Sequence, residues 1–204
     1  MIKYIGRGFL RLDLSFYQKD AITLAQDLLG KLLIREIDGE KIMTKIVETE
    51  AYMGPEDKAA HSYNNKRTER TEVMFGRAGR AYIYLIYGKY YCLNIVAALE
   101  NIPQAVLIRA VEPVKGVEII KKNRPIKSQK IQDLTNGPGK LCDALKIDKS
   151  FNGTDLVYEN QLYILDHPQN FKIQSSKRIN IDYAQEYKDK LWRFYIKENS
   201  FVSK

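Results

Sequence analysis

Lys31-Leu-Leu-Ile-Arg-Glu-Ile-Asp38-Gly39-Glu-Lys-Ile-Met-Thr-Lys-Ile-Val-Glu-Thr49 is the stretch of this 204-residue chain that decides the fold. Runs rich in apolar residues lie on both sides of the dipeptide Asp38-Gly39. This dipeptide favours the positive backbone φ angles of a tight hairpin turn. The pattern therefore predicts a hairpin of two strands, Lys31 to Ile37 and Lys41 to Thr49.

The segments around this hairpin predict helices and further strands, and no repeat or Gly/Ser-rich linker divides them, so we expect one mixed α/β domain. Apolar residues at positions 21, 22, 24, 25, 28, 29, 32 and 33 have helical spacing and predict a helix from about 20 to 29, ending near Gly30. The Tyr-, Ile- and Leu-rich run from Ala81 to Val96 is interrupted by Gly88, which favours two strands with a bend. Later segments predict a strand from Ala105 to Glu112 ended by Pro113, helices at about 114–122 and from Lys140 to Leu145, and closing strands at Leu162 to Leu165, Arg178 to Ile181 and Arg193 to Lys197.

Composition restricts the class of protein. Hydrophobic residues make up 45% of the chain and charged residues 28%, which excludes a wholly disordered or fibrous chain. Two cysteines and two histidines disfavour a disulfide framework or a structural zinc site. The longest apolar stretch, Ala81 to Tyr87, is too short to span a bilayer, and Met1 to Arg7 lack the features of a signal peptide. We therefore expect a cytoplasmic protein, and its net charge of +8 favours an anionic partner.

Two carboxylates stand at the end of the second hairpin strand, in Glu48-Thr-Glu50-Ala-Tyr52. Glu48 and Glu50 share a strand face because side chains alternate along a strand. A carboxylate beside aromatic residues can act as a general base toward water. The alternative is an ordinary solvated strand end, and these residues alone leave both interpretations open.

A set of tyrosines follows, at positions 82, 84, 87, 90 and 91. Tyrosine is common in ordinary strands, but flat aromatic rings in a basic protein also suit stacking on nucleic-acid bases. With a carboxylate and a histidine, and without a metal-binding set, these residues fit the extrusion of a base and cleavage of its N-glycosyl bond. The segment Lys121 to Lys130 holds five basic residues and no acidic one, as in a solvated loop or a mobile arm near phosphates.

Longer motifs carry a resemblance to a known family. Val47-Glu-Thr-Glu-Ala-Tyr-Met-Gly-Pro-Glu-Asp-Lys-Ala-Ala-His61-Ser closely resembles the alkyladenine (3-methyladenine) DNA glycosylase family. The resemblance covers nearly the whole chain in order. Its other blocks are Phe16 to Asp20, Leu24 to Gly30, Met74-Phe75, Gly79 to Asn94, Val106 to Pro113, Gly137 to Cys142 and Leu191 to Tyr195.

The resemblance implies a fold and an activity. The fold is α+β: residues 1–204 form a single DNA glycosylase domain around a curved, largely antiparallel sheet with flanking helices. The activity is the excision of alkylated or deaminated purines from damaged double-stranded DNA, leaving an abasic site for base excision repair. It uses no metal and no cofactor. No lysine matches a pocket position that could form a Schiff base, so we expect a monofunctional enzyme, acting as a monomer and associated with the nucleoid through DNA binding.

The resemblance also implies residue roles. Glu50 is the general base that deprotonates a water aimed at C1′, and Arg109 helps to hold this water and to keep Glu50 ionised. In the pocket, Tyr52 and Tyr84 sandwich the flipped base, His61 closes the pocket, and Asn94 excludes the exocyclic amine of guanine. Ile179 belongs to the late pocket segment. On the DNA, Tyr87 fills the gap in the duplex, and phosphates are approached by Lys89, Tyr90 and Lys140.

One departure from the family pattern concerns the late pocket segment. Family members commonly have Gly after Arg-Ile or Arg-Val, whereas this chain has Arg178-Ile179-Asn180, and an Asn there could narrow the pocket. Two other functions remain as alternatives. A non-catalytic protein that binds DNA lesions would not need the pair Glu50 and Arg109, and an RNA-binding module would be expected to carry a different aromatic motif.

Overall fold

The computed structural model describes residues 9–203. Residues 1–8, which include the stretch compared with a signal peptide, and residue 204 lie outside this part. Within the described range the α-helices are α1 Leu14–Tyr17, α2 Ala21–Asp27, α3 Val117–Asn123 and α4 Pro138–Ala144. The strands are β1 Leu32–Ile37, β2 Glu40–Tyr52, β3 Ala81–Ile86, β4 Tyr90–Ala97, β5 Gln104–Lys115, β6 Leu162–Leu165, β7 Ile173–Ser176 and β8 Arg193–Ile196.

The described strands form one curled antiparallel sheet, in the order β3-β4-β5-β2-β1-β6, with β8 pairing to both β2 and β7. Strand β2 is the centre of this sheet. Glu40 to Lys45 pair with β1, Met43 to Tyr52 pair with β5, and Glu48 to Glu50 also pair with β8. Register shifts between Ile46 and Thr49 in the β2–β5 pair mark β-bulges, which increase twist and bend the sheet. The expected α+β fold, a single mixed domain around a curved antiparallel sheet, is confirmed.

Helix α2 covers one face of the sheet. Asp20 caps it by accepting hydrogen bonds from the backbone N–H groups of Ile22 and Thr23, which satisfies donors that a helix start leaves free. Its buried face, Ala21, Leu24 and Ala25, packs against β2 and β5. The helix covers the sheet behind the two carboxylates of β2, so this part of β2 is buried on both faces.

Two of the predicted strands differ from the structure. Strand β5 continues through Pro113 to Lys115, and Pro113 lies opposite Thr44 at a register shift. It lies beyond the part of β5 that pairs with β4, so its missing N–H breaks no bond on that side. The segment Arg178 to Ile181 is not a strand, because Asn180 has a left-handed φ of 59°. Strand β7, which the sequence did not predict, lies just before it.

Candidate active site

A cavity of about 420 Å³ opens where the ends of β2, β3, β4 and β5 meet the start of α4 and two loops. The strands contribute mainly aromatic and polar side chains to it, and the loops close its sides. Nine of the residues expected at the site line this cavity: Tyr52, His61, Tyr84, Tyr87, Tyr90, Asn94, Arg109, Lys140 and Ile179.

Glu50 lies directly behind the cavity wall and is fully buried. Its Oε2 accepts a hydrogen bond of 2.9 Å from the Tyr52 hydroxyl, and its Oε1 accepts one of 2.8 Å from the backbone N–H of Ile179. Nη1 of Arg109 is 3.4 Å from Oε1. All three partners line the cavity, so the carboxylate is held by the groups that shape it.

Arg109 joins the two carboxylates of β2. Its Nε donates to Oε1 of Glu48 at 3.1 Å, while Nη1 faces Glu50. Burial by itself lowers the pKa of Arg109, but the charges of Glu50 and Glu48 outweigh burial and raise the pKa above its ordinary value. The guanidinium therefore stays charged next to Glu50.

His61 and two tyrosines form one aromatic wall. The His61 and Tyr84 rings meet edge to face, with centroids 4.6 Å apart, and the Tyr82 and Tyr84 rings are tilted at 5.6 Å. His61 Nδ1 lies 2.9 Å from the Tyr82 hydroxyl, and Nε2 lies 3.2 Å from Nη2 of Arg70. Because a guanidinium only donates, Nε2 accepts, and a neutral His61 carries its proton on Nδ1.

Burial, followed by the charges of Arg70 and Lys66, lowers the pKa of His61 to about 4. His61 is therefore neutral at pH 7. Within residues 9–203, its backbone N–H has no hydrogen-bond acceptor. This N–H is thus available to a ligand that enters the cavity.

Asn94 and Ile179 are held in different ways. The Asn94 amide donates to the carbonyl oxygens of Tyr82 and Cys92, at 3.1 and 3.3 Å, which fixes it against the cavity wall. Ile179 contributes its backbone N–H to Glu50, as described above. Asn180, the departure from the family pattern, also lines the cavity with its left-handed φ. Among residues other than Gly, Asn adopts this conformation most readily, so the backbone path that Gly would take is preserved.

The residues expected to contact DNA lie at the mouth of the cavity, with one exception. Tyr87 is 77% exposed and occupies the turn between β3 and β4. Tyr90 packs so closely on Gly139 that a Cβ at that glycine would lie 2.9 Å from the Tyr90 Cβ. Nζ of Lys140 donates to Asn136. Lys89 is the exception: its Nζ lies over the Tyr90 ring, outside the cavity lining.

Three cavity features were not predicted from the sequence. Arg70 and Tyr183 line the cavity, and neither lies in a block that carried the resemblance. Arg178 is buried behind the Tyr52 ring, 4.8 Å from its centroid, and both of its terminal nitrogens donate to the carboxylate of Asp57. Asp57 lies in the long motif around Glu50, but an ion pair between residues 121 positions apart has no local signal.

Two searches of residues 9–203 complete the description. No group of three His, Cys, Asp or Glu side chains lies close enough together to hold a metal ion. None of the helices in this range is long and apolar enough to cross a membrane.

Comparison with known proteins identifies the family. The family model described as methylpurine-DNA glycosylase matches residues 15–200. A protein from Natranaerobius thermophilus is 54% identical over 196 residues, which cover 95% of this chain and 99% of that protein. Proteins from Clostridium novyi and Desulfitobacterium hafniense are 51% and 52% identical, each over 95% of this chain and 98% of its own length. All three bear the name "Putative 3-methyladenine DNA glycosylase". The expected family is thus confirmed: the chain belongs to the methylpurine-DNA glycosylase family.

Proposed function

We propose that this protein is a monofunctional 3-methyladenine-type DNA glycosylase. It flips alkylated or deaminated purines out of duplex DNA and hydrolyses the N-glycosidic bond, which leaves an abasic site for base excision repair. The observation that carries the proposal is the buried carboxylate of Glu50, held by Arg109 at the wall of an aromatic cavity. Family membership and the names of the relatives support the same activity.

In this proposal Glu50 acts as the general base. It takes a proton from a water molecule as the water oxygen bonds to C1′, while the bond from C1′ to the purine nitrogen breaks and its electron pair leaves with the base. Positive charge builds on the sugar during this step, and a nearby carboxylate stabilises it. Arg109 holds the water and keeps Glu50 ionised. A cationic alkylated purine leaves as a neutral base, whereas a neutral purine such as hypoxanthine needs a proton.

The pocket residues recognise the flipped base. Tyr52 and Tyr84 sandwich it, and a cationic purine between two electron-rich rings gains cation–π attraction. His61 closes the pocket and offers its free backbone N–H to the purine edge. Asn94 leaves no room for the exocyclic amine of guanine, and Ile179 completes the wall opposite.

The surface residues hold the DNA. Tyr87 enters the duplex and fills the gap left by the flipped nucleotide, which offsets part of the cost of unstacking. Lys89, Tyr90 and Lys140 contact phosphates. We further propose that the whole chain, residues 1–204, works as one glycosylase domain and as a monomer, in the cytoplasm and associated with the nucleoid through DNA.

The test is a single-turnover incubation with duplex DNA that carries one hypoxanthine or one 1,N6-ethenoadenine, and with methylated DNA, followed by alkaline cleavage at abasic sites. We expect release of at least the methylated purines by the wild type. Glu50→Gln should lower the rate by roughly 10²–10⁴-fold, as loss of a general base does, and leave DNA affinity nearly unchanged. Release from none of the substrates would favour a non-catalytic lesion-binding protein. Equal loss of rate and affinity would contradict the role of Glu50.

A further inference from the structure

Arg70 contacts two of the residues proposed to hold the base. It lies on the loop that precedes the short 3₁₀ helix Glu72–Phe75. Its Nη2 is 3.2 Å from Nε2 of His61, and its Cζ lies over the Tyr84 ring, 5.2 Å from the centroid. Arg70 also lines the cavity. A planar cation thus covers part of the aromatic wall.

The contact with Tyr84 has a consequence for the bases that can enter. A flat, positively charged guanidinium over a tyrosine ring resembles a cationic purine in shape and charge. A base that stacks on this ring must replace the cation–π contact. Every base that stacks here bears this cost, and a cationic base also meets the positive charge of the displaced guanidinium, whereas a neutral base does not.

The contact with His61 fixes the state of that side chain. The guanidinium donates to Nε2, so the proton of neutral His61 resides on Nδ1, which faces the Tyr82 hydroxyl at 2.9 Å. Arg70 and Lys66 are the cations close to His61, and Tyr82 and Tyr84 pack against its ring. Without Arg70, Nε2 loses its donor and either ring nitrogen can carry the proton.

We propose that Arg70 is a selectivity and positioning residue: it covers Tyr84 and fixes the tautomer of His61 in the free protein, and a flipped purine must displace it. The displacement cost is common to all purines, and the charge of Arg70 in addition disfavours cationic purines. The selectivity part rests on the proposed glycosylase function, whereas the effect on His61 does not.

Arg67 offers a matched control three positions earlier. It too is an exposed arginine with its Cζ over an aromatic ring, 4.9 Å from the centroid of Phe75. It pairs with Glu72 instead of a histidine and lies outside the cavity lining. Arg67→Ala therefore removes the same charge and the same kind of ring contact from the same loop.

The first experiment compares single-turnover rates on methylated DNA, whose methylated purines include cationic ones, with rates on a hypoxanthine duplex. Arg70→Ala should shift the ratio toward the methylated purines, because the repulsion between the guanidinium and a cationic purine is removed. Using a ratio cancels any loss of affinity common to both DNAs. Arg70→Lys should shift it less, because an ammonium keeps the charge but not the planar stack. Arg67→Ala should leave the ratio unchanged.

An Arg70→Ala ratio equal to that of Arg67→Ala, with the wild type active, would overturn the selectivity of Arg70 and leave the glycosylase function intact. A wild type inactive on both DNAs would instead overturn the proposed function, and the selectivity with it.

The second experiment needs no activity. The chain has two histidines, so the ring signals of His61 and His167 can be assigned by NMR from single substitutions. In Arg70→Ala we expect the Nε2–H tautomer of His61 to become populated and the pKa of His61 to rise, with Arg67→Ala as the control. A His61 ring signal that is the same in wild type and Arg70→Ala would overturn the positioning role.

Discussion

Glu48 and Glu50 lie two positions apart on β2, and both are fully buried and in contact with Arg109. Their other partners lie in different parts of the molecule. Glu48 accepts hydrogen bonds from Arg193 at 2.6 Å and from the backbone N–H and hydroxyl of Ser203 at 2.6 and 2.8 Å. These partners tie β8 and the C-terminal segment to the centre of the sheet. The partners of Glu50 line the cavity.

The comparison shows that residue type, burial and an arginine partner do not distinguish a structural carboxylate from a candidate catalytic one. What differs is the remaining set of partners. Around Glu48, charged and hydroxyl donors from distant parts of the chain surround the carboxylate, as buried charges require. Around Glu50, one hydroxyl and one backbone N–H belong to the wall of an open cavity.

The largest expected effect is the difference between Glu48→Gln and Glu50→Gln, which tests whether Glu48 is structural and Glu50 catalytic. Glu50→Gln should lose activity as stated above. Glu48→Gln should keep the single-turnover rate within about tenfold of wild type, because Glu48 contacts the candidate site only through Nε of Arg109, whereas Nη1 faces Glu50. It should lower the free energy of unfolding by about 3 kcal/mol, because Arg109 and Arg193 lose a buried partner. Single-turnover rates and urea unfolding of both variants check the prediction.

The reverse pattern of rates would contradict the division between a structural Glu48 and a catalytic Glu50. If Glu48→Gln abolished activity in a folded protein while Glu50→Gln retained it, the roles of the two carboxylates would have to be exchanged. Similar losses of rate in both would mean that the pair acts as one unit through Arg109.

A second prediction concerns the contribution of His61, a residue of the cavity wall, to the free energy of unfolding. The pKa of His61 is about 4 in the folded protein and ordinarily about 6.5. Between these values the unfolded chain binds more protons, so the free energy of unfolding falls as the pH is lowered from 6.5 to 4. By linkage the loss at pH 4 relative to pH 7 amounts to about 2–3 kcal/mol.

Urea unfolding of wild type and His61→Gln from pH 4.5 to 7.5 measures this contribution. Wild type should lose stability faster than His61→Gln as the pH falls, so the difference between them should change with pH. His167→Gln serves as the reference for the loss of a histidine elsewhere. A constant difference between wild type and His61→Gln over this range would show that His61 is not held neutral by its surroundings.

The sequence predicted much of this arrangement, for identifiable reasons. The hairpin around Asp38-Gly39 followed from local turn chemistry, and period-2 alternation correctly placed Glu48 and Glu50 on one face. The family followed from motifs of 2 to 16 residues. Alternation could not say which carboxylate faces the cavity, because Ser203 and Arg193, which mark Glu48 as structural, lie 155 and 145 positions away.

The errors have the same origin. The expected end of β5 at Pro113 was wrong, because the sheet leaves one side of β5 unpaired by β4 there and a residue without an N–H is tolerated. The expected strand at Arg178 to Ile181 is instead a loop, because Arg178 forms an ion pair with Asp57 and Asn180 is left-handed. Arg70 carried no signal, because its partners meet it only in the folded cavity. The roles assigned to the site residues stay predictions.

The smallest expected effect concerns Tyr87, whose replacement should raise the free energy of unfolding but weaken the binding of lesion duplex. Tyr87 and Gly88 have φ angles of 53° and 63°, and the Lys89 N–H bonds to the Ile86 carbonyl, as in a type I′ turn. Tyrosine is unfavourable at such a φ, and at 77% exposure its ring contributes little packing. Tyr87→Asn should therefore raise the free energy of unfolding by about 0.5–1 kcal/mol.

Tyr87→Asn should also weaken binding to lesion duplex and lower the population of flipped base, which the fluorescence of a base analogue measures. The control is Tyr158→Asn, which replaces another exposed tyrosine, outside the cavity lining. If Tyr87→Asn bound lesion duplex and flipped its base as wild type does, Tyr87 would not be the residue that fills the gap in the duplex. A loss of stability would mean that its ring packs against the hairpin.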